Sequence, residues 1–439
     1  MKHLCYWLKW HLYRPQAFEA FNRLLASERS SESELYEAQD LALRRVVCNA
    51  MTRTRFYKRL YGDAGFELGD MGQIGWFQKL PIVTKNHLRE FFDDFVAEGE
   101  CGSLKISTTG GSTGTPTKTG YDRRVPEEIY AWRVQHWYGV KPWDHHAYVW
   151  RDTRPTKLAR VKNALLWWPS RHLKLDATFM SEESIENFIR AYNRLKPTLL
   201  YGYVGAVTQL AQYVLDQSLD VHIPKMTWVT SAPLTSVQRE LLIRAFKAPV
   251  CDQYGSCEVR GIAQQCPEGG GLHVNVEHVN LNFVDDTGME VPRGEYGRTL
   301  VTNLEDYVFP LIRYENGDRG RWLKNSCCPC GRTLPMIDSV KGRVSESFRL
   351  PSGRVVNGEF LTTIFDDDTE LVRSFRVIQN RNLAITVEVV PNGVDEIRRI
   401  EELVKRFSNR IGNEVPVTVR VVSVMEHDRG KIRFVVREK

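Results

Sequence analysis

The chain has 439 residues, 42% hydrophobic, 26% charged and 11% aromatic, which excludes a disordered tail or a disulfide-stapled mini-domain and requires a large buried core. Because single cores stop growing at roughly 250–300 residues, this length predicts two or more domains. The 60 Lys and Arg against 54 Asp and Glu leave a net charge of +6, which suits a small anionic ligand and is too mild for the basic face of a nucleic-acid binder.

The sequence carries no fixed-period repeat or low-complexity tract, so solenoids and fibres are excluded. The longest uncharged run, 197–215, contains Gly202, Gly205, Thr208, Gln209 and Gln212 and fails as a membrane span. The opening Met1-Lys-His-Leu-Cys-Tyr-Trp-Leu-Lys-Trp-His11 breaks its apolar stretch with charges and lacks a small-residue cleavage site, which reads as a cytoplasmic protein.

In chain order, residues 34–60 carry helical apolar spacing, and a helix is expected to begin near Thr84 after Leu80-Pro-Ile-Val, giving an α-rich entry region. From about 105 to 335 short β-rich runs alternate with helices: a strand over 226–230, a helix over 236–246, a strand over 250–254. Such alternation predicts α/β layers. Val207, Leu210, Ala211, Val214 and Leu215 share a helical face and read as core. The aromatic stretch 130–137 reads as core with one or two pocket residues. Residues 154–172 place Lys157, Arg160 and Lys162 beside Leu165-Leu-Trp-Trp168. That pattern fits a basic amphipathic helix touching a membrane or a lipid-linked sugar, or a surface helix with its Trp side inward, the reading adopted. Past 279 the pattern turns to hairpins, with strands over 279–284 and 298–302 around a turn at 285–288. The end reads as strands 374–379 and 383–390, a helix 395–411, and strands 415–424 and 432–437, a compact α+β unit. The domain boundary is placed near Arg343, dividing 1–343 from 344–439.

Four segments carry candidate chemistry. Ser107-Thr-Thr-Gly-Gly-Ser-Thr-Gly-Thr-Pro-Thr-Lys118 packs hydroxyls and glycines into a loop that can wrap a polyphosphate, although its composition fits a polar linker as well. It is not a P-loop, because no Gly-Lys-Ser/Thr closes it. Asp252-Gln-Tyr-Gly-Ser-Cys-Glu258 breaks a strand at Gly255 and delivers a carboxylate that can hold magnesium beside phosphates or simply occupy a turn. Pro310-Leu-Ile-Arg-Tyr-Glu-Asn-Gly-Asp318 presents Asp318 after a turn, as ribose sites often do, and Arg429-Gly-Lys-Ile-Arg433 puts Lys431 at the tip of an expected hairpin. Of nine cysteines, Cys251, Cys257, Cys266, Cys327, Cys328 and Cys330 bunch together while Cys5, Cys48 and Cys101 are isolated. Bunching of this kind points to a metal rather than to disulfides.

Together, in this order, these segments resemble the adenylate-forming (AMP-binding) ligase superfamily, most closely its phenylacetate-CoA ligase/CapK-like branch, over roughly 80–431. Leu80-Pro-Ile-Val-Thr-Lys-Asn-His-Leu-Arg89, Leu195-Lys-Pro-Thr-Leu-Leu-Tyr-Gly-Tyr203, Ser231-Ala-Pro-Leu-Thr235 and Lys341-Gly-Arg343 add to the likeness. The resemblance implies an α/β fold, with a large multi-subdomain N-terminal adenylation domain and a small C-terminal α+β lid. It also implies a two-step enzyme: a carboxylate attacks the α-phosphorus of Mg-ATP, pyrophosphate leaves, and a nucleophile then displaces AMP. By position, Ser107, Thr108, Thr109, Gly110, Gly111, Ser112, Thr113 and Gly114, with Lys118, would hold the leaving phosphates and Glu258 the magnesium ion. Ser231, Ala232 and Pro233, with Tyr254 and Gly255, would flank adenine; Asp318 would bind the ribose, Arg343 would sit beside it at the hinge, and Lys431 would be the catalytic lysine. Cys266, His273, Cys328 and Cys330 resemble the branch's structural zinc ligands, with Cys327 and Cys257 as alternatives.

The sequence departs from the branch at Val344-Ser-Glu-Ser-Phe348, where coenzyme A ligases commonly carry Ser-Asp-Asp, and at Tyr201-Gly-Tyr-Val-Gly-Ala206, where Pro-Ser often follows Gly-Tyr. The expected acceptor is coenzyme A, with an amine or the hydroxyl of a surface-polysaccharide precursor as the alternative. A zinc-containing module that binds an anionic ligand without catalysis is the reading of another class. The expected partners are a small carboxylic acid and ATP, without nucleic acid or a transmembrane segment, in a monomer or homodimer that can contact a membrane peripherally.

Overall fold

The structure, a computed structural model, describes residues 2–108, 118–150, 157–177, 180–324, 327–338, 340, 348–352, 355–356, 361, 364–365, 368–425 and 435–438. It is an α/β protein in two compact units, one of residues 1–9, 135–252 and 340–439, the other of residues 10–134 and 253–339.

The first unit is built on a parallel sheet. His172–Asp176, His146–Trp150, Leu199–Tyr203, Met226–Thr230 and the start of Val250–Tyr254 lie side by side in that order. Parallel strands covered on both faces read as unbroken apolar runs, and Met226–Thr230 is buried at every position. The helices Glu182–Leu195, Val204–Asp216 and Ser236–Phe246 contribute to its core. A Cβ at Gly202 would come within 2.6 Å of the Val149 carbonyl oxygen and Val207 Cγ2, so the Tyr-Gly-Tyr segment needs glycine where strand meets helix. The helix Ser236–Phe246 matches its predicted bounds because its signals are local: a Thr235/Gln238 capping box starts it and Lys247, at φ +51°, ends it.

The C-terminal part of this unit is a mixed sheet ordered Val417–Val421, Ile385–Pro391, Val372–Gln379, Val435–Arg437. The helix Ile397–Arg410 buries Ile400, Leu403, Val404 and Phe407 at helical spacing. Residues 340–439 share this unit with 135–252; Val237 of the helix Ser236–Phe246 lies in the C-terminal core, and Arg373 pairs with Asp216 at 3.0 Å.

In the second unit the predicted helical stretch 34–60 is two helices, Glu32–Arg53 and Arg55–Asp63. They break at Thr54, whose extended backbone ends the first while its hydroxyl accepts from the Tyr57 amide to cap the second. The helix Lys85–Glu90 begins after Thr84, capped with His87. The predicted β subdomain is the antiparallel sheet Val279–Val284, Gly297–Asn303, Tyr314–Gly320. In its first turn Asp285 Oδ1 accepts from the Thr287 and Met289 amides, and Gly288 takes φ +87°. Arg133, fully buried, pairs with Glu28 at 3.1 Å and Glu277 at 2.6 Å and donates to Asn275. Removing one partner from such a buried cluster costs about 3–5 kcal/mol.

Among the described residues no helix is long and apolar enough to cross a membrane. The basic segment 154–172 contains the helix Lys157–Trp167. Its tryptophan side is only half inward: Trp167 lies against His172 with ring centroids 4.7 Å apart, whereas Trp168 is exposed.

Candidate active site and cysteine cluster

Along Tyr314–Gly320 burial alternates strictly, with Tyr314, Asn316 and Asp318 turned inward as the two-residue period of a strand requires. The pairing with Gly297–Asn303 slips between Arg298 and Leu300, and Gly317 sits at φ +87°, a conformation that glycine adopts without strain. There Tyr254, buried at the end of Val250–Tyr254, donates its hydroxyl to Asp318 Oδ2 at 3.0 Å. Asn316 Nδ2 donates to the same Tyr254 oxygen at 2.5 Å, and Asn316 Oδ1 accepts from the Asp318 amide at 3.0 Å. Burial, with the Asp318 charge beside it, holds the Tyr254 phenol far above its ordinary range, so it stays protonated as a donor.

Gly255 follows, where a Cβ would lie 3.1 Å from the Gly261 amide nitrogen. The chain then turns: the Ser256 amide donates to the Val259 carbonyl at 2.8 Å and the Val259 amide to Ser256 Oγ at 3.0 Å. This turn points Glu258 inward, where its Oε1 accepts from the Tyr314 hydroxyl at 3.1 Å. Burial and the Glu258 charge raise the Tyr314 phenol as well. Two carboxylates, Glu258 and Asp318, are thus each held by a buried phenol. Both phenols stay neutral and act as donors to these carboxyl groups.

Tyr314, Asn316 and the 80–89 segment are the parts of this site whose roles the sequence reading missed. Val83 forms a parallel bridge to Tyr314, and the Glu315 amide donates to the Val83 carbonyl at 2.8 Å. That edge sets Lys85 Nζ 3.6 Å from where a Gly317 Cβ would be, and the Arg89 charge acts on Tyr314. The strict alternation of Tyr314, Asn316 and Asp318 is the signal that could have found the first two.

The hydroxyl-rich segment joins the hairpin Leu104–Thr108 and Lys118–Asp122, in which Ser107 pairs with Thr119 and Thr108 with Lys118. Lys118 is exposed at its base. Thr109, Gly110, Gly111, Ser112, Thr113 and Gly114 lie outside the described residues, as do Arg343 and Lys431. Ser231, Ala232 and Pro233 follow Met226–Thr230 in the first unit, and Ser231 takes φ +76°. A non-glycine residue there stores local strain of a kind that clusters at functional sites.

The cysteines assemble a second site. Ligand atoms of Cys266, His273, Cys328 and Cys330 all lie within 4.8 Å of one another. Cys266 Sγ is 3.5 Å from Cys328 Sγ, and Cys330 Sγ is 3.4 Å from His273 Nε2. A disulfide would bring sulfurs to about 2.05 Å, whereas a tetrahedral zinc separates sulfur pairs by about 3.8 Å and sulfur from nitrogen by about 3.5 Å. The donor set and spacing fit such an ion. His273 Nδ1 faces the Leu334 carbonyl at 3.2 Å, which assigns its proton there and leaves Nε2 as the ligating atom. Burial lowers the His273 pKa to about 4, keeping the imidazole neutral. Burial also raises the Cys330 thiol, but the Arg332 amide and neighbouring donors outweigh it and bring the thiol below its ordinary value. Arg332 pairs in turn with Glu28 at 3.0 Å, joining this loop to the Arg133 cluster. Cys257 and Cys327 are exposed and stand outside the group.

A family model described as the CapK C-terminal domain matches residues 349–438. Protein CapK of Staphylococcus aureus is 23% identical over 419 residues, covering 92% of this chain and 89% of that protein. The phenylacetate-coenzyme A ligase of Thermus thermophilus is 23% identical over 446 residues, covering 93% of this chain and 98% of that protein. Among solved structures, 2-hydroxyisobutyryl-CoA ligase in its postadenylation state with 2-HIB-AMP superposes with a TM-score of 0.79 at 19% identity, covering 94% of this chain and 91% of that one.

Proposed function

Because the chain belongs to the adenylate-forming ligase superfamily, in the branch of CapK and phenylacetate-CoA ligase, we propose that it activates a small carboxylic acid with ATP and passes the acyl group to coenzyme A. In the first half-reaction an oxygen of the acid attacks the α-phosphorus, the bond to the bridging oxygen breaks, and pyrophosphate leaves with the electron pair. In the second, the coenzyme A sulfur attacks the acyl carbon, the acyl–oxygen bond breaks, AMP departs and the thiol proton passes to solvent.

The observation that carries this reading is the pair of buried carboxylates held by phenols, Asp318 by Tyr254 and Glu258 by Tyr314. Asp318, fixed by Tyr254, would accept hydrogen bonds from ribose hydroxyls. Glu258 would hold the magnesium ion that accompanies ATP, which neutralises phosphate charge when bound. The hydroxyl-rich segment 107–114, with Lys118, would bind the leaving phosphates, and Ser231, Ala232, Pro233 and Gly255 would border adenine beside Tyr254. Residues 344–439 would act as the lid, with Arg343 at its hinge. Lys431 would place a cation against the charge that builds on the α-phosphoryl transition state, stabilising it more than bound ATP, and withdraw before thioester formation. Cys266, His273, Cys328 and Cys330 would hold a structural zinc ion that braces the loop. The cytoplasm, where ATP and coenzyme A are abundant, would be its compartment.

The match of residues 349–438 to the CapK C-terminal domain favours a second reading, transfer to an amine or hydroxyl of a surface-polysaccharide precursor. Pyrophosphate release across aryl, fatty and amino acids, each with and without coenzyme A, separates the two. Turnover with one acid, raised by coenzyme A, supports the thioester reading; turnover indifferent to coenzyme A refutes it in favour of the second. No release with any acid, together with no ATP affinity, refutes both and leaves the non-catalytic module.

A further inference from the structure

The two helices Lys2–Tyr13 and Lys157–Trp167 are tied together in the first unit by Lys9. Its ammonium donates to the carbonyls of Leu166 and Trp168, the latter at 2.5 Å. These carbonyls end the second helix, where a cation complements the helix dipole. Tyr6, on the inward side of the first helix, is fully buried and lies 6.0 Å from Trp143 by ring centroids.

The outward faces carry what a folded core normally hides. On the first helix Leu4, Trp7 and Leu8, at i, i+3 and i+4, are exposed. On the second, Leu158 is 81% and Leu165 68% exposed; Val161 and Trp168 complete the same stripe. Single exposed apolar residues need no explanation, but two tethered stripes form a patch of the kind that marks an interaction surface. The charge of the same elements selects the partner. The two helices contain Lys2, Lys9, Lys157, Arg160 and Lys162 and no carboxylate. Leucine and tryptophan on one face of a helix rich in Lys and Arg is the composition of segments that lie in the plane of an anionic bilayer, where tryptophan settles at the headgroup level.

We infer that this paired-helix surface docks the protein onto an anionic lipid bilayer, with the apolar stripes in the interface and the net positive charge of the two helices drawn to the headgroups. This is independent of the catalytic reading and uses none of its residues.

The test is sedimentation of the full chain with unilamellar vesicles of phosphatidylcholine alone or mixed equally with phosphatidylglycerol. Binding to the anionic vesicles at least tenfold tighter than to the neutral ones, and weakened by 0.5 M salt, is expected. The double variant L8E/L165E should lose at least tenfold of that binding while keeping its circular dichroism and melting temperature. The milder L158S should lose a smaller share, and Ile74→Glu, an exposed apolar residue elsewhere, should lose none. Equal binding to both vesicles, or equal loss in the Ile74 variant, overturns the inference. So does a wild-type dimer in analytical ultracentrifugation that L8E/L165E splits into monomers, since the patch would then cover a second copy of the chain.

Discussion

Tyr254 donates its hydroxyl to Asp318 at 3.0 Å while accepting from Asn316 at 2.5 Å, so one buried phenol joins the end of Val250–Tyr254 to the strand Tyr314–Gly320 and fixes the Asp318 carboxyl group in place. If that carboxylate grips the ribose, Asp318→Asn should raise the KM for ATP about tenfold to a hundredfold, the weight of a charge-assisted hydrogen bond. Tyr254→Phe, which leaves the carboxylate but frees its orientation, should raise it by about two- to tenfold. Steady-state kinetics over ATP concentration checks both; an unchanged KM with only a lower melting temperature would reduce the network to scaffolding.

The spacing of Cys266, His273, Cys328 and Cys330 suits a closed tetrahedral ion, and closed sites act through stability. Cys328→Ser and Cys330→Ser should each lose zinc in elemental analysis and melt at lower temperature. Chelation of the wild-type protein should lower its melting temperature in the same way. Full zinc content in both variants would dismiss the site.

His278 supplies a pH signature. Its Nδ1 lies 2.8 Å from Glu305 and its Nε2 2.9 Å from the Arg260 carbonyl, so both ring nitrogens face acceptors and the imidazolium satisfies both. Burial opposes that charge, but the hydrogen bond and charge of Glu305 outweigh it and hold the pKa above 6.5. A raised folded pKa stabilises fully below the unfolded value, about 6.5, and the contribution fades as pH rises through the folded value. The melting-temperature gap between the wild type and His278→Gln should therefore narrow from pH 6 to pH 9. A gap constant across that range would contradict a charged His278.

The α/β layering was legible because its signals are local. The strand Met226–Thr230 is a fully buried, uncharged run rich in β-branched and aromatic residues, and the helix Ser236–Phe246 carries its own cap, so both have the predicted bounds. The helical spacing over 34–60 did not show the break at Thr54, where one residue ends one helix and caps the next without interrupting the apolar spacing. Chemistry-bearing residue types marked Asp318, Glu258 and the cysteines as candidates. Their partners were harder to see, because Tyr254 meets Asn316, and Glu258 meets Tyr314, across 62 and 56 residues of chain. Arg133 lies within the aromatic stretch 130–137 read as core, and nothing in sequence marks its ion partners; only the fold brings Glu28 and Glu277 to it. Likewise apolar spacing cannot distinguish an inward stripe from an outward one, which is why Trp168, exposed in the structure, passed for packing.

Acid-dependent exchange of labelled pyrophosphate into ATP isolates the first half-reaction, and comparing the wild type with Lys431→Ala tests adenylation and its lysine together. Exchange that requires both magnesium and one acid, and that falls by about 10²–10³ in the variant, is the expected result. Exchange without any acid, or at the same rate in Lys431→Ala, would contradict it.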